Sequence, residues 1–253
     1  MRNCTVTKTK SGRYFVSIQC EVEIEPVPHD AGGEVGVDLG LADFATLSNG
    51  QTIPNPRYLR RAERKLKRLH RRLSRSKQGS KGREKAHLAL ARQYEKVTYQ
   101  RQDFQHKLSR QLVTHHRLVC LENLNVRGML RNKKLAKSIA DAAWGEFARQ
   151  CSYKASWYGS RVEKVGRFFP SSRLCSECGE INPSLKLSDR KWVCMGCGTL
   201  HHRDDNASKN ILAESLRLRT VGATGIDAGG EVVRPKWALP IQAASLKPEA
   251  QGF

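Results

Sequence analysis

No apolar run in the 253 residues approaches the roughly 18 that a membrane-spanning helix needs, and Met1 to Thr9 has no signal-peptide core. These two absences argue against a spanning segment and an exported precursor, so the expected setting is soluble and cytoplasmic. Acid is also scarce: 24 Asp and Glu stand against 45 Lys and Arg, leaving a formal charge of +21. Self-repulsion on that scale is relieved most simply by a polyanion, which makes nucleic acid the default partner. Half of the eight cysteines, Cys4, Cys20, Cys120 and Cys151, lack framework spacing, which counts against a disulfide scaffold. What is present, at 39% hydrophobic, suffices for one substantial core and a small second module.

The most informative stretch is Glu34 to Leu41, EVGVDLGL. An apolar run of Val35, Gly36 and Val37 ends in one carboxylate, Asp38, and then breaks, as a buried strand does when it delivers an acid to its tip. Phe44 to Ser48, an Asn49-Gly50 turn and Gln51 to Ile53 extend it into a three-stranded antiparallel meander. Arg117 to Leu124 repeats the motif, four apolar residues from Leu118 to Leu121 preceding Glu122. Each acid has a plainer reading, as a cap for the segment that follows. Ahead of these, Arg13 to Ile24 alternates Tyr14, Val16, Ile18, Cys20, Val22 and Ile24 on one face of an expected strand, and Glu25 to Gly33, with its prolines and glycines, is a connection.

Between the two acids lies Arg57 to Lys85, with fourteen Lys or Arg and only Glu63 and Glu84. Leu59, Leu66, Leu69 and Leu73 recur at helical spacing, so an amphipathic helix with a basic outer face is expected, broken over Ser74 to Gly82. A second helix, about Arg83 to His115, carries Leu88, Tyr94, Val97, Phe104, Leu108 and Leu112 and should pair with the first. A charge run of this kind is ordinarily a solvated face. So dense a single sign favours a phosphate-tracking surface, with Arg60, Arg64, Lys67, Arg68, Arg71, Arg72 and Arg75 as contacts. Further on, a helix is expected from Ser138 to Tyr158, with Asp141 in its first turn, Gly159 after its end, and Trp144, Phe147 and Cys151 in the core. Arg161 to Phe169 reads as a fifth strand closed by Pro170.

Cys175-Ser-Glu-Cys178 and Cys194-Met-Gly-Cys197 are two C-x-x-C knuckles, each followed by glycine, with a hairpin over Leu185 to Val193 expected between them. Four thiolates presented by two short turns suit a closed, tetrahedral, structural zinc site; disulfides or an iron–sulfur cluster are the competing readings. Four Cys satisfy the metal, so His201 and His202 are not counted as ligands. Asp204 or Asp205 leads into a helix from Asn206 to about Arg217, with Ala207, Ile211 and Leu212 inward, and a helix cap is the plainer reading for Asp205. Two acids at strand ends and one at a helix start, gathered by a sheet, would form an all-oxygen site suited to magnesium. A pair of such ions about 3.5 to 4 Å apart activates water and stabilises a departing 3′ oxygen.

GVDLGL at 36 to 41, LENLN at 121 to 125, PSSRLCSECG at 170 to 179, the second knuckle and RDDNASKNIL at 203 to 212 together resemble the TnpB family, transposon-encoded RNA-guided DNA nucleases related to type V CRISPR effectors. The resemblance covers most of Arg13 to Leu212. It implies an α/β fold of the RNase H-like (RuvC) kind, a mixed sheet with an inserted basic helical hairpin and an inserted Cys4 zinc ribbon. The implied layout is a wedge-like remnant at 1–30, a nuclease core at 31–170 with the hairpin at 57–116, the ribbon at 171–200, a last core segment and helix at 201–220, and a tail without stable core at 221–253. By motif the catalytic magnesium ligands would be Asp38, Glu122 and Asp204, with Asp205 in the variable position, and the zinc ligands Cys175, Cys178, Cys194 and Cys197. His202-Arg203-Asp204 departs from the Asp-Arg-Asp of many relatives but keeps the ligand. The implied partners are a guide RNA and a DNA target, with nucleoid association. Residues 1–24 match only the tail of the family's amino-terminal lobe, so a second chain or another copy is the implied source of the remainder. Two other readings stay open: a non-cleaving RNA- or DNA-binding regulator, and a nuclease without a guide.

Overall fold

A computed structural model of the chain describes residues 3–23, 32–186 and 188–224. The first described segment is a hairpin of β1 (Asn3–Lys8) and β2 (Tyr14–Gln19), paired antiparallel with Val6 opposite Val16. It forms a two-stranded sheet of its own. The strand expected over Arg13 to Ile24 thus stops at Gln19, which pairs with Asn3, and Ile24 lies outside the described residues. The tip of the hairpin is tied down by Ser11, whose hydroxyl donates to Glu95 at 2.6 Å.

The central sheet is mixed and has five strands in the order β5-β4-β3-β6-β7. Its first three, β3 (Glu34–Leu39), β4 (Asp43–Leu47) and β5 (Thr52–Pro54), are the expected antiparallel meander. Gly50 supplies the positive φ, 84°, that the Asn-Gly turn requires. The chain then leaves the sheet through α1 (Tyr58–Arg75) and α2 (Lys81–His115), which pack against each other. Ser80 starts α2 by accepting from Arg83 N. β6 (Leu118–Leu121) returns beside β3 and parallel to it, and β7 (Arg161–Lys164) lies parallel to β6. β7 ends at Lys164, short of the expected Phe169, because β6 offers no ladder beyond Leu121; Phe168 is 93% exposed.

Side chains alternate across a strand, and this sorts the sheet into two faces. Val35, Val37 and Leu39 of β3, with Val119 and Leu121 of β6, enter a core with Leu108 and Leu112 of α2 and Phe147 and Cys151 of α5 (Trp144–Tyr158). Phe44 sits edge-on to Phe104 and Phe147 at 5.0 and 5.1 Å. Against the other face lies α6 (Arg203–Thr224), and Gly36 makes that approach possible. A Cβ built on Gly36 would stand 2.0 Å from the backbone oxygen of Ser208 and 2.8 Å from Leu212 N, so the missing side chain is the space in which the helix sits. Gly36→Ala is expected to cost about 3 kcal/mol of unfolding free energy, as backbone-level overpacking does. Urea denaturation measures it, and a cost under about 0.5 kcal/mol, the scatter of neutral surface changes, would contradict this packing.

Several elements differ from expectation. The single helix over Ser138 to Tyr158 is two, α4 (Ala136–Ala142) and α5, separated by Ala143 at φ 49°. Gln105, buried on α2, donates its amide to the carbonyls of Ala142 at 2.8 Å and Ala143 at 3.2 Å and so satisfies the break. Asp141 lies in the last turn of α4, not in a first turn. Its carboxylate accepts from Leu59 N at 3.1 and 3.2 Å, capping α1, whose own N-cap residue Arg57 gives the helix no side-chain cap. Tyr94 points outward, 42% exposed, with its hydroxyl 2.8 Å from His70 of α1. α3 (Val126–Met129), a single turn started by Asn125, was not evident from spacing. Residues 1–215 form one compact unit and 216–253 a second, of which only the end of α6 is described. That helix continues to Thr224, past the Arg217 expected; 225–253 lie outside the described residues.

Candidate active site and metal centre

Asp38 is the penultimate residue of β3 and Glu122 directly follows β6. The ladder pairs Gly36 with Cys120 and Val37 with Leu121, so the next rung sets Asp38 beside Glu122 at the carboxyl ends of two parallel neighbours. By the same alternation both project to the Gly36 side, where α6 begins with Asp204 in its first turn. Burial pushes the Asp38 carboxyl well above the usual range, and the negative charges of Glu122 and Asp204 push it further. Glu122 is raised too, chiefly by burial, against the Ser171 hydroxyl that donates to its Oε1 at 2.8 Å. Two acids in hydrogen-bonding reach cannot both ionise cheaply, and Asp38 is the more strongly raised of the pair. Arg203 counteracts the charge on both. Asp204 is close enough to raise Asp38 but is engaged elsewhere, its Oδ2 3.1 Å from Arg190 Nη1. Asp205 pairs with Lys209 at 3.6 Å.

Arg190 lies just ahead of the second centre. Here β8 (Lys191–Val193) and β9 (Leu200–His202) pair across the second knuckle, Val193 opposite Leu200. The hairpin expected over Leu185 to Val193 is therefore displaced: that segment supplies β8 alone, and Leu185 is core. Leu174 and Ile181 bridge across the first knuckle. After each Cys pair the backbone turns through a glycine, Gly179 at φ 78° and Gly198 at φ 72°. The sulfurs of Cys175, Cys178, Cys194 and Cys197 all lie within 4.8 Å of one another, the one such ligand group among the described residues. Cys175 and Cys197 are 3.7 Å apart and Cys178 and Cys194 3.6 Å. Four thiolates about 2.3 Å from a tetrahedral zinc would be separated by about 3.8 Å, so the cluster has the dimensions of a metal site. His201 is not a fifth member of it. Its Nε2 lies 3.0 Å from Cys175 Sγ and its ring packs on Trp192 at 4.8 Å, the place of a residue that orients a ligand.

Comparison with known proteins matches residues 17–133 to the OrfB_IS605 family, described as "Probable transposase", and residues 144–211 to the Cas12f1-like TNB domain. A Streptomyces pristinaespiralis protein named "Putative RNA-guided DNA endonuclease" is 43% identical over 86% of this chain and 54% of its own length. The chain belongs to the TnpB family. An Escherichia coli relative of this TnpB-family chain, "Putative RNA-guided DNA endonuclease InsQ", is 31% identical over 88% of the chain and 58% of its own length. Among solved structures, a Cas12f1–sgRNA–target DNA complex has a protein of like fold, with TM-score 0.53 at 16% identity over 80% of this chain and 53% of that one. The chain spans about half the length of the curated relatives it matches.

On the TnpB-family chain the predicted basic contacts Arg60, Arg64, Lys67, Arg68, Arg71, Arg72 and Arg75 are all exposed on α1. Lys67 is shared with Glu63 at 3.3 Å. No helix among the described residues is long and apolar enough to cross a membrane. Sequence reasoning missed Ser171, Arg190, Asn206 and Asn210. The last two carried a signal, for amides four apart on the inward face of a helix, among Ala207 and Ile211, need partners. Ser171 and Arg190 carried none, since only the folded chain brings them to the acids.

Proposed function

We propose that this chain is the nuclease portion of an RNA-guided DNA endonuclease of transposon origin, cutting phosphodiester bonds at a magnesium site on an RNase H-like (RuvC) core. The observation that carries the reading is Asp38 and Glu122 on adjacent strand ends with Asp204, whose charge reaches Asp38, on the helix packed over the same face. Three carboxylates offer only hard oxygen donors, and the burial and mutual repulsion that raise Asp38 are a penalty on charge that a cation would relieve. Asp38, Glu122 and Asp204 are the residues that would hold Mg2+, which when bound supplies an activated water and neutralises charge on the phosphate and the departing oxygen. Asp38 would hold the ion as its carboxylate. Glu122 is steadied by Ser171, and Arg190, which neutralises Asp204, competes with a cation for that carboxylate.

The domain layout follows: core at 31–170 and 201–220, hairpin insert at 57–116, ribbon at 171–200 and amino-terminal module at 1–30. The four cysteines would hold structural zinc. The exposed basic face of α1 would track the backbone of the guide RNA or its duplex with target DNA, each phosphate neutralised releasing counterions.

The test is to purify the chain, sequence the RNA that copurifies, and assay cleavage of matching DNA with and without Mg2+ beside Asp38→Ala and Glu122→Ala. Mg2+-dependent cleavage by the wild type alone is expected. RNA retained with no cleavage by any variant would instead leave a binding protein, and cleavage indifferent to the RNA a nuclease without a guide.

A further inference from the structure

We propose that Ser171 is a positioning residue for Glu122, and that Asn206 and Asn210 of α6 hold Ser171 in place. The proposal rests on the reading of Glu122 as a metal ligand. Glu122 lies one residue beyond the end of β6, and its side chain has three torsions to settle. The Ser171 hydroxyl, on a residue only 7% exposed, donates to Glu122 Oε1 at 2.8 Å and settles them on that side, while Asp38 lies in hydrogen-bonding reach on the neighbouring strand. That bond uses one carboxylate oxygen and the one hydroxyl hydrogen, and it fixes the plane in which the other oxygen is offered.

Ser171 is itself in a loop, from Phe169 to Cys175, with no strand to brace it. The brace comes from α6. Asn210 Nδ2 donates to the carbonyl oxygens of Ser171 at 2.8 Å and Leu174 at 2.6 Å. Asn206 Nδ2 donates to Leu174 O at 2.7 Å and more weakly to Ser171 O at 3.4 Å, while its Oδ1 accepts from Ser176 N at 2.9 Å. Both asparagines are nearly sealed from water, 1% and 3% exposed, and amides so buried are costly unless every bond is made. Helix α6 therefore brings more than Asp204. Through two amides it clamps the loop that orients Glu122, and the same loop runs directly into Cys175 of the first knuckle. A hydroxyl partner outside the ligand shell that fixes a metal-bound carboxylate is commonly worth about 10- to 100-fold in metal affinity.

Mn2+ serves as the probe, its binding to the full chain read by electron paramagnetic resonance, with zinc content and melting temperature measured on the same samples. Ser171→Ala is expected to weaken Mn2+ binding about tenfold, Ser171→Thr to restore it, and both to keep full zinc and a wild-type melting curve. Wild-type Mn2+ affinity in Ser171→Ala overturns the proposal while leaving the acid site standing. Zinc loss or unfolding in Ser171→Ala, unrepaired by threonine, also overturns it, since the residue would then be structural only. A wild-type chain whose Mn2+ binding is indifferent to Glu122→Gln sinks the ligand reading itself, and the positioning role falls with it.

Discussion

Asp38→Asn is expected to lower DNA cleavage about 1,000-fold or more, the consequence of losing several kcal/mol of metal-borne charge stabilisation, and at the same time to raise the melting temperature of the metal-free chain. The two effects share one cause. Burial beside Glu122 and Asp204 makes the Asp38 charge expensive, so its carboxyl titrates well above the ordinary range when folded and near that range when unfolded. Between those limits the folded chain binds more protons than the unfolded one, and stability therefore falls as pH rises. Below the ordinary carboxylate range both forms are protonated and the penalty vanishes. Asparagine keeps the shape, cannot ionise, and removes the slope. Calorimetric melting across that pH range checks it, in chelator and then with Mg2+. The wild type should gain more from Mg2+ at the upper end of the range, and the variant should gain little anywhere. A metal-free wild type whose melting is flat with pH, or an asparagine variant that melts lower, would contradict the buried-acid account.

Cys194→Ser is expected to release the zinc and unfold the ribbon while leaving the central sheet cooperative. The lobe has almost nothing else to fold around. Its buried cluster is Cys175, Leu185, Trp192 and Cys194, and two of those four belong to the sulfur cluster that could hold the metal. Structural zinc sites of this type contribute about 10 to 16 kcal/mol of apparent binding free energy, far beyond what burying Leu185 and Trp192 can give, at about 2 to 3 kcal/mol each. Trp192, only 7% exposed, should redden in fluorescence as it meets water, and hydrogen exchange should quicken over 175–202 but not over β3 and β6. Metal analysis completes the test: a variant that retains zinc, or one that loses it with Trp192 still buried, would refute the assignment. The ribbon also supplies Arg190, so its loss frees Asp204 from its guanidinium partner.

Much of this was legible in the chain. The meander was marked by Asn49-Gly50, the two acids by the apolar runs preceding them, and the sulfur cluster by spacing and paired glycines. These are signals in which a local rule and the final structure agree. What escaped is what tertiary packing imposes. Ala143 is a good helix former held at positive φ because Gln105 reaches across from α2 to take the carbonyls at the break. The ribbon hairpin was placed ahead of the second knuckle, whereas its two strands flank that knuckle. The contacts of Arg190 with Asp204 and of Ser171 with Glu122 join residues 14 and 49 apart, and no periodicity encodes them.

The long excursion of α1 and α2 departs from the sheet after β5 and re-enters it at β6, yet the Asp38 and Glu122 strands touch directly. Closing a loop twice as long costs only about 0.6 kcal/mol more. The hairpin can therefore be lengthened, shortened or exchanged for another element at that seam with little penalty to the strand pair that carries the two acids. A scaffold wired in this way lets the inserted arm diverge in sequence and length while the frame beneath it stays put.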